Sequence, residues 1–291
     1  MKKGIFVKLS GYGEDSWSSE FEFAKKLDCD CVEFVLDYPL LGPSTYDEKT
    51  LERIKGMAGD LEIIVHLMPH RYLTPNKYDQ VPELKGKTFD LASLDSQVRR
   101  FSIQEVEKSF VMAKQLGARI VTIHGGFCRN QNQYQKNLDA LRTSLEELNK
   151  YANGVKLCLE NMPVMDHFGN KVEEIPKSPE DLNLLTENLE NVGITLDTGH
   201  ANTIMQPERF FDKLKKVWNI HVHDNGGDRD NHLILGEGNI DFVYLIELLK
   251  ERNYEGYFNL ELDINWDESK VKVSPSREQR GASWKYIQGL L

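Results

Sequence analysis

Eight times along this chain of 291 residues, a short apolar run gives way to a longer stretch with helical periodicity. The apolar runs fall at 4–10, 31–36, 61–66, 119–124, 156–160, 192–197, 218–223 and 256–262. Helical patterns follow near 17–27, 48–58, 101–116, 133–152, 180–189, 207–216, 241–251 and 278–290. Strict strand–helix alternation predicts parallel strands, because each helix carries the chain back to the end where the last strand began. Eight such units predict a closed (β/α)₈ TIM barrel rather than an open sheet. No Gly/Ser linker or low-complexity tract interrupts the pattern, so 1–291 reads as a single barrel domain, an ordinary length for this architecture.

Local signals support the helices. Ser102-Ile-Gln-Glu105 fits a capping box, and Gly117 supplies the stop of the same helix. Ser178-Pro179-Glu180-Asp181 places a cap, a proline at the first helical position and acids in the first turn. The connection from Leu67 to about Arg100 is unusually long and is a candidate lid.

Alternation within strands sorts the polar residues. One register runs Val121/Ile123, Leu157/Leu159, Ile194/Leu196, Ile220/Val222 and Phe258/Leu260, the apolar face expected against the helices. The opposite register carries His124, Glu160, Asp197, His221, His223 and Glu261 into the barrel, at or near the C-terminal strand ends where barrel active sites lie. His66 ends the third strand, His200 follows Asp197, and Asp230 and His232 sit in the loop after the seventh strand. A lone inward histidine or carboxylate is usually hydrogen-bonded structure. Five strand ends each offering one are another matter, since buried carboxylates are costly without compensation and no inward Lys or Arg is evident. A divalent cation would neutralise them together. Mixed imidazole and carboxylate donors suit Zn, Mn, Fe or Co, and their number allows one to three ions.

Composition narrows the partners. A formal net charge of −10 argues against wide contact with nucleic acid or an anionic membrane, without excluding a small basic groove. Four scattered cysteines read as free thiols of a reducing compartment, and no run suits a secretory leader or a membrane span, so a cytoplasmic protein is expected. Oligomeric state is not legible.

In sequence order, RRFSIQEVEKSFVMAKQLGARIVTIH (99–124), LENMP, TLDTGHAN, HVHDN and DNHLILGEGNID resemble the xylose isomerase-like barrel superfamily, over nearly the whole chain. That superfamily includes sugar and sugar-phosphate isomerases and epimerases, and endonuclease IV. The epimerase resemblance implies one ion held by Glu160, Asp197, a strand-seven histidine and Glu261, with His221 and His223 both open for the third place. It implies that Glu160 and Glu261 take and return a proton beside a substrate carbonyl. The endonuclease IV resemblance implies nine donors for three ions: His66, His124, Glu160, Asp197, His200, His221, Asp230, His232 and Glu261. Met-Pro after Asn161 and Leu-Asp after Glu261 depart from the nuclease pattern, and His70 competes with His66.

The leading expectation is therefore a metal-dependent isomerase or epimerase of a small sugar or sugar phosphate. Phosphodiester hydrolysis at abasic DNA is the alternative, and a silent metal- or sugar-binding barrel a third. His66, His200 and His232 double as substrate contacts. Glu33 faces the mouth as a further contact or as structure. Tyr12, Trp17 and Tyr72 are candidate pocket walls or packing.

Overall fold

In the computed structural model, which describes residues 1–7, 14–37, 47–68, 89–152, 154–262 and 275–291, each apolar run is a strand. The strands are β1 (Lys2–Val7), β2 (Cys31–Asp37), β3 (Glu62–Met68), β4 (Ile120–Ile123), β6 (Lys156–Glu160), β8 (Val192–Asp197), β9 (Val217–Val222) and β10 (Tyr257–Leu260). Each pairs in parallel with the next, and β10 returns to β1, closing the barrel. Two short strands, β5 (Gly126–Phe127) and β7 (Glu174–Ile175), form an antiparallel ribbon beyond the rim.

The helices are α1 (Glu14–Lys26), α2 (Glu48–Ala58), α3 (Ser96–Leu116), α4 (Tyr134–Tyr151), α5 (Pro179–Thr186), α6 (Thr198–Asn202), α7 (Pro207–Lys213), α8 (Phe242–Glu251) and α9 (Arg277–Leu290). Eight correspond to the periodic stretches. The single turn α6 has no apolar period to announce it. It forms because Asp197, as N-cap, accepts the His200 N–H. Among the described residues no helix is long and apolar enough to cross a membrane.

Strand parity holds. Val121, Ile123, Leu157, Leu159, Ile194, Leu196, Ile220, Val222, Phe258 and Leu260 are all buried in the core between sheet and helices. The inward register is layered. At the N-terminal end Cys31, Ile64, Ile120, Cys158 and Tyr257 make an apolar plug with Trp218 against it. Above it lies a polar layer: Asn219 and Asn259 each donate to Glu33 Oε2 at 2.9 Å, Asn259 also donates to Asn219 Oδ1, and the Thr122 and Thr195 hydroxyls meet at 3.1 Å. The top layer carries the histidines and acids.

Four expectations change. The capping box at Ser102 is not a helix start: α3 begins six residues earlier, where Asp95 accepts the Gln97 N–H, and Ser102 lies inside it, donating to Val98 O. The earlier cap adds a turn that is exposed or half-buried, leading into the buried Phe101. The lid is cut back. Residues 69–88 lie outside the described residues, but Phe89 to Ala92 are buried, held by Asn137 donating to Ala92 O and Ser144 donating to Leu91 O. Trp17 is core rather than pocket wall, whereas Tyr12, His70 and Tyr72 lie outside the described residues. Two lysines, Lys2 and Lys156, do fall in the inward register, Lys2 over the Tyr257 ring at the foot of the barrel. Lys156 sits over the Trp218 ring, 4.2 Å from its centroid, and both lysines lie at the end of the barrel opposite the upper acids, where they cannot neutralise them.

Candidate metal centre

The strand register brings four strand ends to one place. Asp197 pairs with His221 across β8 and β9, Glu160 ends β6, and the Glu261 N–H donates to Val222 O just beyond β10. Their side chains converge on His221, whose Nδ1 lies 3.0 Å from Glu261 Oε2, 3.3 Å from Glu160 Oε1 and 4.0 Å from Asp197 Oδ2. Donor atoms of Glu160, Asp197, His221 and Glu261 all lie within 4.8 Å of one another, and all four residues are buried. Below them, Glu33 Oε1 is 2.9 Å from His221 Nε2 and 3.8 Å from His66 Nδ1, a second grouping.

Glu160 also belongs to a third grouping. Its Oε2 lies 3.3 Å from His66 Nε2 and 3.4 Å from His124 Nε2. A fourth, at the outer rim, joins His200, His223, Asp230 and His232. There Asp230 Oδ2 is 3.2 Å from His200 Nε2 and 3.3 Å from His232 Nε2, and Asp230 Oδ1 is 3.6 Å from His223 Nε2.

The electrostatics are those of acids and imidazoles pressed together. Burial would raise the Glu160 carboxyl, yet His221, His124 and His66 hold it well below the usual range. Burial would lower His232, but the adjacent Asp230 pushes it up to about 9. Burial dominates at His66 and keeps it well below the ordinary imidazole value. Glu160 Oε2, Glu261 Oε2, Asp230 Oδ1 and both ring nitrogens of His66 are buried without a well-directed hydrogen bond. Such atoms are costly left alone. Their convergence in mixed nitrogen–oxygen sets fits a borderline divalent cation.

The profile of the xylose isomerase-like TIM barrel family matches residues 21–282. The chain belongs to that family. Among relatives of this xylose isomerase-like barrel, the uncharacterized protein MJ1311 of Methanocaldococcus jannaschii is 31% identical over 212 residues, 65% of this chain and 70% of that protein. Fructoselysine 3-epimerase of Escherichia coli O157:H7 is 28% identical over 187 residues, 62% of this chain and 66% of the epimerase. Of solved structures, a D-tagatose 3-epimerase-like protein superposes with a TM-score of 0.75 at 26% identity, covering 100% of this chain and 97% of the other. Endonuclease IV from Thermus thermophilus shares the fold, with a TM-score of 0.66 at 16% identity, covering 100% and 98%.

In this family member every donor named from the sequence among the described residues lies in one of the four groupings, and the two strand-seven histidines divide between them. His221 joins the inner acids and His223 the outer rim. Glu33 lies beneath the donors, fully buried, with Asn219, Asn259 and His221 as its partners.

Two supporting residues, Asn161 and Glu174, were given no role by the sequence reading, and a third, Asp224, entered it only as the acid of a His-x-x-Asp pattern beginning at His221. Asn161 donates to Asp197 O, accepts the Asp197 N–H and offers its carbonyl to His200 Nδ1 at 2.8 Å. Glu174, on the outer ribbon, stands 3.7 Å from His124 Nδ1. Asp224 is the organiser of the loop bearing Asp230 and His232. Its carboxylate accepts the N–H groups of Asn225, Gly236, Gly238 and Ile240, and a Cβ on Gly238 would come within 2.1 Å of Asp224 Oδ1. The signals were present: Asn directly after Glu160, Asp directly after His223, and glycines spaced to let a backbone close on a carboxylate. Asp224→Ala leaves the Asn225 and Ile240 N–H groups buried and those of Gly236 and Gly238 partly buried, all without this acceptor, and is expected to cost about 3 kcal/mol. Chemical denaturation reads that loss, and a cost below about 1 kcal/mol would show that the loop is held by something else.

Proposed function

We propose that this protein is a divalent-metal-dependent isomerase or epimerase of a small sugar or sugar phosphate, working as one barrel domain. The observation that carries the reading is the approach of two glutamates, Glu160 and Glu261, to one ring nitrogen of His221, with Asp197 completing a four-donor set. The 28% identity to a fructoselysine 3-epimerase supports it. Glu160, Asp197, His221 and Glu261 would hold the ion, which supplies Lewis acidity to a substrate carbonyl and its neighbouring hydroxyl.

Two carboxylates reaching one volume from separate strands, β6 and the end of β10, suit a proton taken from one side of a carbon and returned on the other. Either glutamate can use one oxygen for binding and the other for the proton. Return to the opposite face of the same carbon gives epimerisation; return to the adjacent carbon gives isomerisation. His66, His200 and His232 line the same basin and would orient hydroxyls. Glu33, through His221 Nε2, would fix the ring whose Nδ1 meets the two glutamates.

A second reading, phosphodiester hydrolysis, is favoured by one specific observation: the groupings around His66–His124–Glu160 and His200–Asp230–His232 adjoin the inner set and give donors for further ions. Clustered ions suit activation of water and stabilisation of a leaving oxygen.

The deciding experiment measures metal content of the purified chain beside a panel of ketoses, sugar phosphates and abasic duplex DNA. The expected result is turnover of a ketose or its phosphate, abolished by chelation and restored by divalent metal. Glu261→Gln is expected to lose turnover by about 10²–10⁴-fold while keeping metal. Salt-sensitive nicking of abasic DNA without any sugar turnover would replace this reading with the second.

A further inference from the structure

Three histidines stand at the outer rim, and two of them share a tautomer that the third does not. His200 Nδ1 lies 2.8 Å from Asn161 O, and His232 Nδ1 lies 3.2 Å from Glu261 O. A carbonyl only accepts, so both of these Nδ1 atoms carry hydrogen. His223 Nδ1 is buried and meets no acceptor among the described residues. It faces Gly199, where a Cβ would fall 2.4 Å from it. A buried N–H without an acceptor is costly, so the His223 hydrogen belongs on Nε2. That atom has its acceptor: Asp197 Oδ1 is 3.1 Å away and Asp197 Oδ2 3.2 Å. Asp230 Oδ1 is farther off, at 3.6 Å.

The ring is held from three directions. Thr198, next to Asp197, accepts the His223 N–H on its hydroxyl at 3.3 Å and donates that hydroxyl to His223 O at 3.1 Å. One face of the imidazole stacks on His232, with centroids 3.7 Å apart and 8° between planes. Its far edge lies against Gly199, where a Cβ would fall 1.9 Å from His223 Cε1. Asp197 Oδ1 also accepts the His200 N–H, at 2.6 Å. Two donors therefore meet Oδ1, and the oxygen left with room for a cation is Oδ2, 4.0 Å from His221 Nδ1.

From this geometry we infer that His223 is a positioning residue rather than a ligand: its Nε2–H fixes the Asp197 carboxylate with Oδ2 turned toward the inner set. The inference rests on the proposal that Glu160, Asp197, His221 and Glu261 hold a divalent ion, and deepens it. A metal-binding imidazole donates its other N–H to a fixed acceptor, as His200 and His232 are placed to do and His223 is not. A donor that orients a ligating group is typically worth about 10–100-fold in metal affinity. The competing role, a ligand among the rim donors, demands the opposite tautomer of His223, with Nε2 bare and the hydrogen on Nδ1 against Gly199.

The tautomer is read directly by long-range proton–nitrogen correlation NMR of the histidine-labelled full-length protein, stripped and then loaded with Zn²⁺. The Nε2–H form is expected at His223 in both states, and an Nδ1–H form overturns the inference. Competition with a chromophoric chelator then reads Zn²⁺ affinity and ion count in two variants. His223→Leu removes the ring and the donor; His223→Gln removes the ring but can bring an amide N–H to the place of Nε2–H. His223→Leu is expected to keep the wild-type ion count at saturating Zn²⁺ while binding the inner ion about 10–100-fold more weakly, and His223→Gln to recover most of that loss. Loss of a whole ion in both variants would make His223 a ligand. Equal affinities for leucine, glutamine and wild type, with cooperative melts, would reduce it to packing. Either result overturns the inference. A wild-type protein that takes up no Zn²⁺ overturns the metal-dependent reading instead, and the tautomer in the stripped protein still decides this one.

Discussion

Glu160→Gln is expected to reduce turnover by about 10³-fold or more and to lower metal content at two places at once. Among the described residues, no other donor belongs to both the His66–His124 grouping and the Asp197–His221–Glu261 set. The substitution keeps the volume but removes the charge that His221, His124 and His66 hold in place. It also turns an amide NH₂ toward imidazoles arranged to meet an acceptor. A thousandfold loss corresponds to about 4 kcal/mol of transition-state stabilisation. Glu261→Gln touches only the inner set and is expected to keep its metal, so the comparison isolates the shared role. Turnover above a tenth of wild type in fully loaded Glu160→Gln protein would remove this residue from the chemistry.

Glu33→Ala should produce the largest loss of stability at the site. The carboxylate is fully buried and accepts from Asn219 and Asn259 at 2.9 Å each, with His221 Nε2 at 2.9 Å on its other oxygen. Alanine leaves these donors facing a cavity with no water path of their own. Removing one partner of such a buried network costs about 3–5 kcal/mol, a drop in Tm of order 10 °C for a chain of this size. Glu33→Gln keeps an acceptor and should cost less. Thermal and denaturant unfolding of both variants check the ordering, and a cost below about 1 kcal/mol for alanine would mean the polar layer repacks around the gap.

Much of the architecture was legible because it follows from local periods. Period-two alternation assigned Val121, Ile123, Leu157 and Leu159 to the helix-facing core and Glu160 and His221 to the interior, without any knowledge of neighbours. Ser178 as a helix cap is equally local: its side chain accepts the Asp181 N–H three residues on. Ser102 shows the limit of that logic. Its motif is correct for a cap, but Asp95, seven residues earlier, took the helix start by accepting the Gln97 N–H.

Within the candidate site, parity told which side chains enter the barrel and nothing about how high they stand. His221 and His223 share a face, yet two residues of strand separate them by roughly 6.6–6.8 Å along the axis. Only the stagger of the closed sheet, with Asp197 beside His221 and the Glu261 N–H on Val222 O, put the first among the inner acids and the second at the rim. The work of Asp224 was hidden for a related reason. A carboxylate that gathers backbone N–H groups from residues 225 to 240 acts through a folded loop, and a loop's closure has no periodicity to read. Order along the chain was enough to predict the barrel and the inward-facing acids and histidines. Which of them share a cation depends on distances of 3–4 Å between strands far apart in sequence, and those distances exist only once the ring has closed.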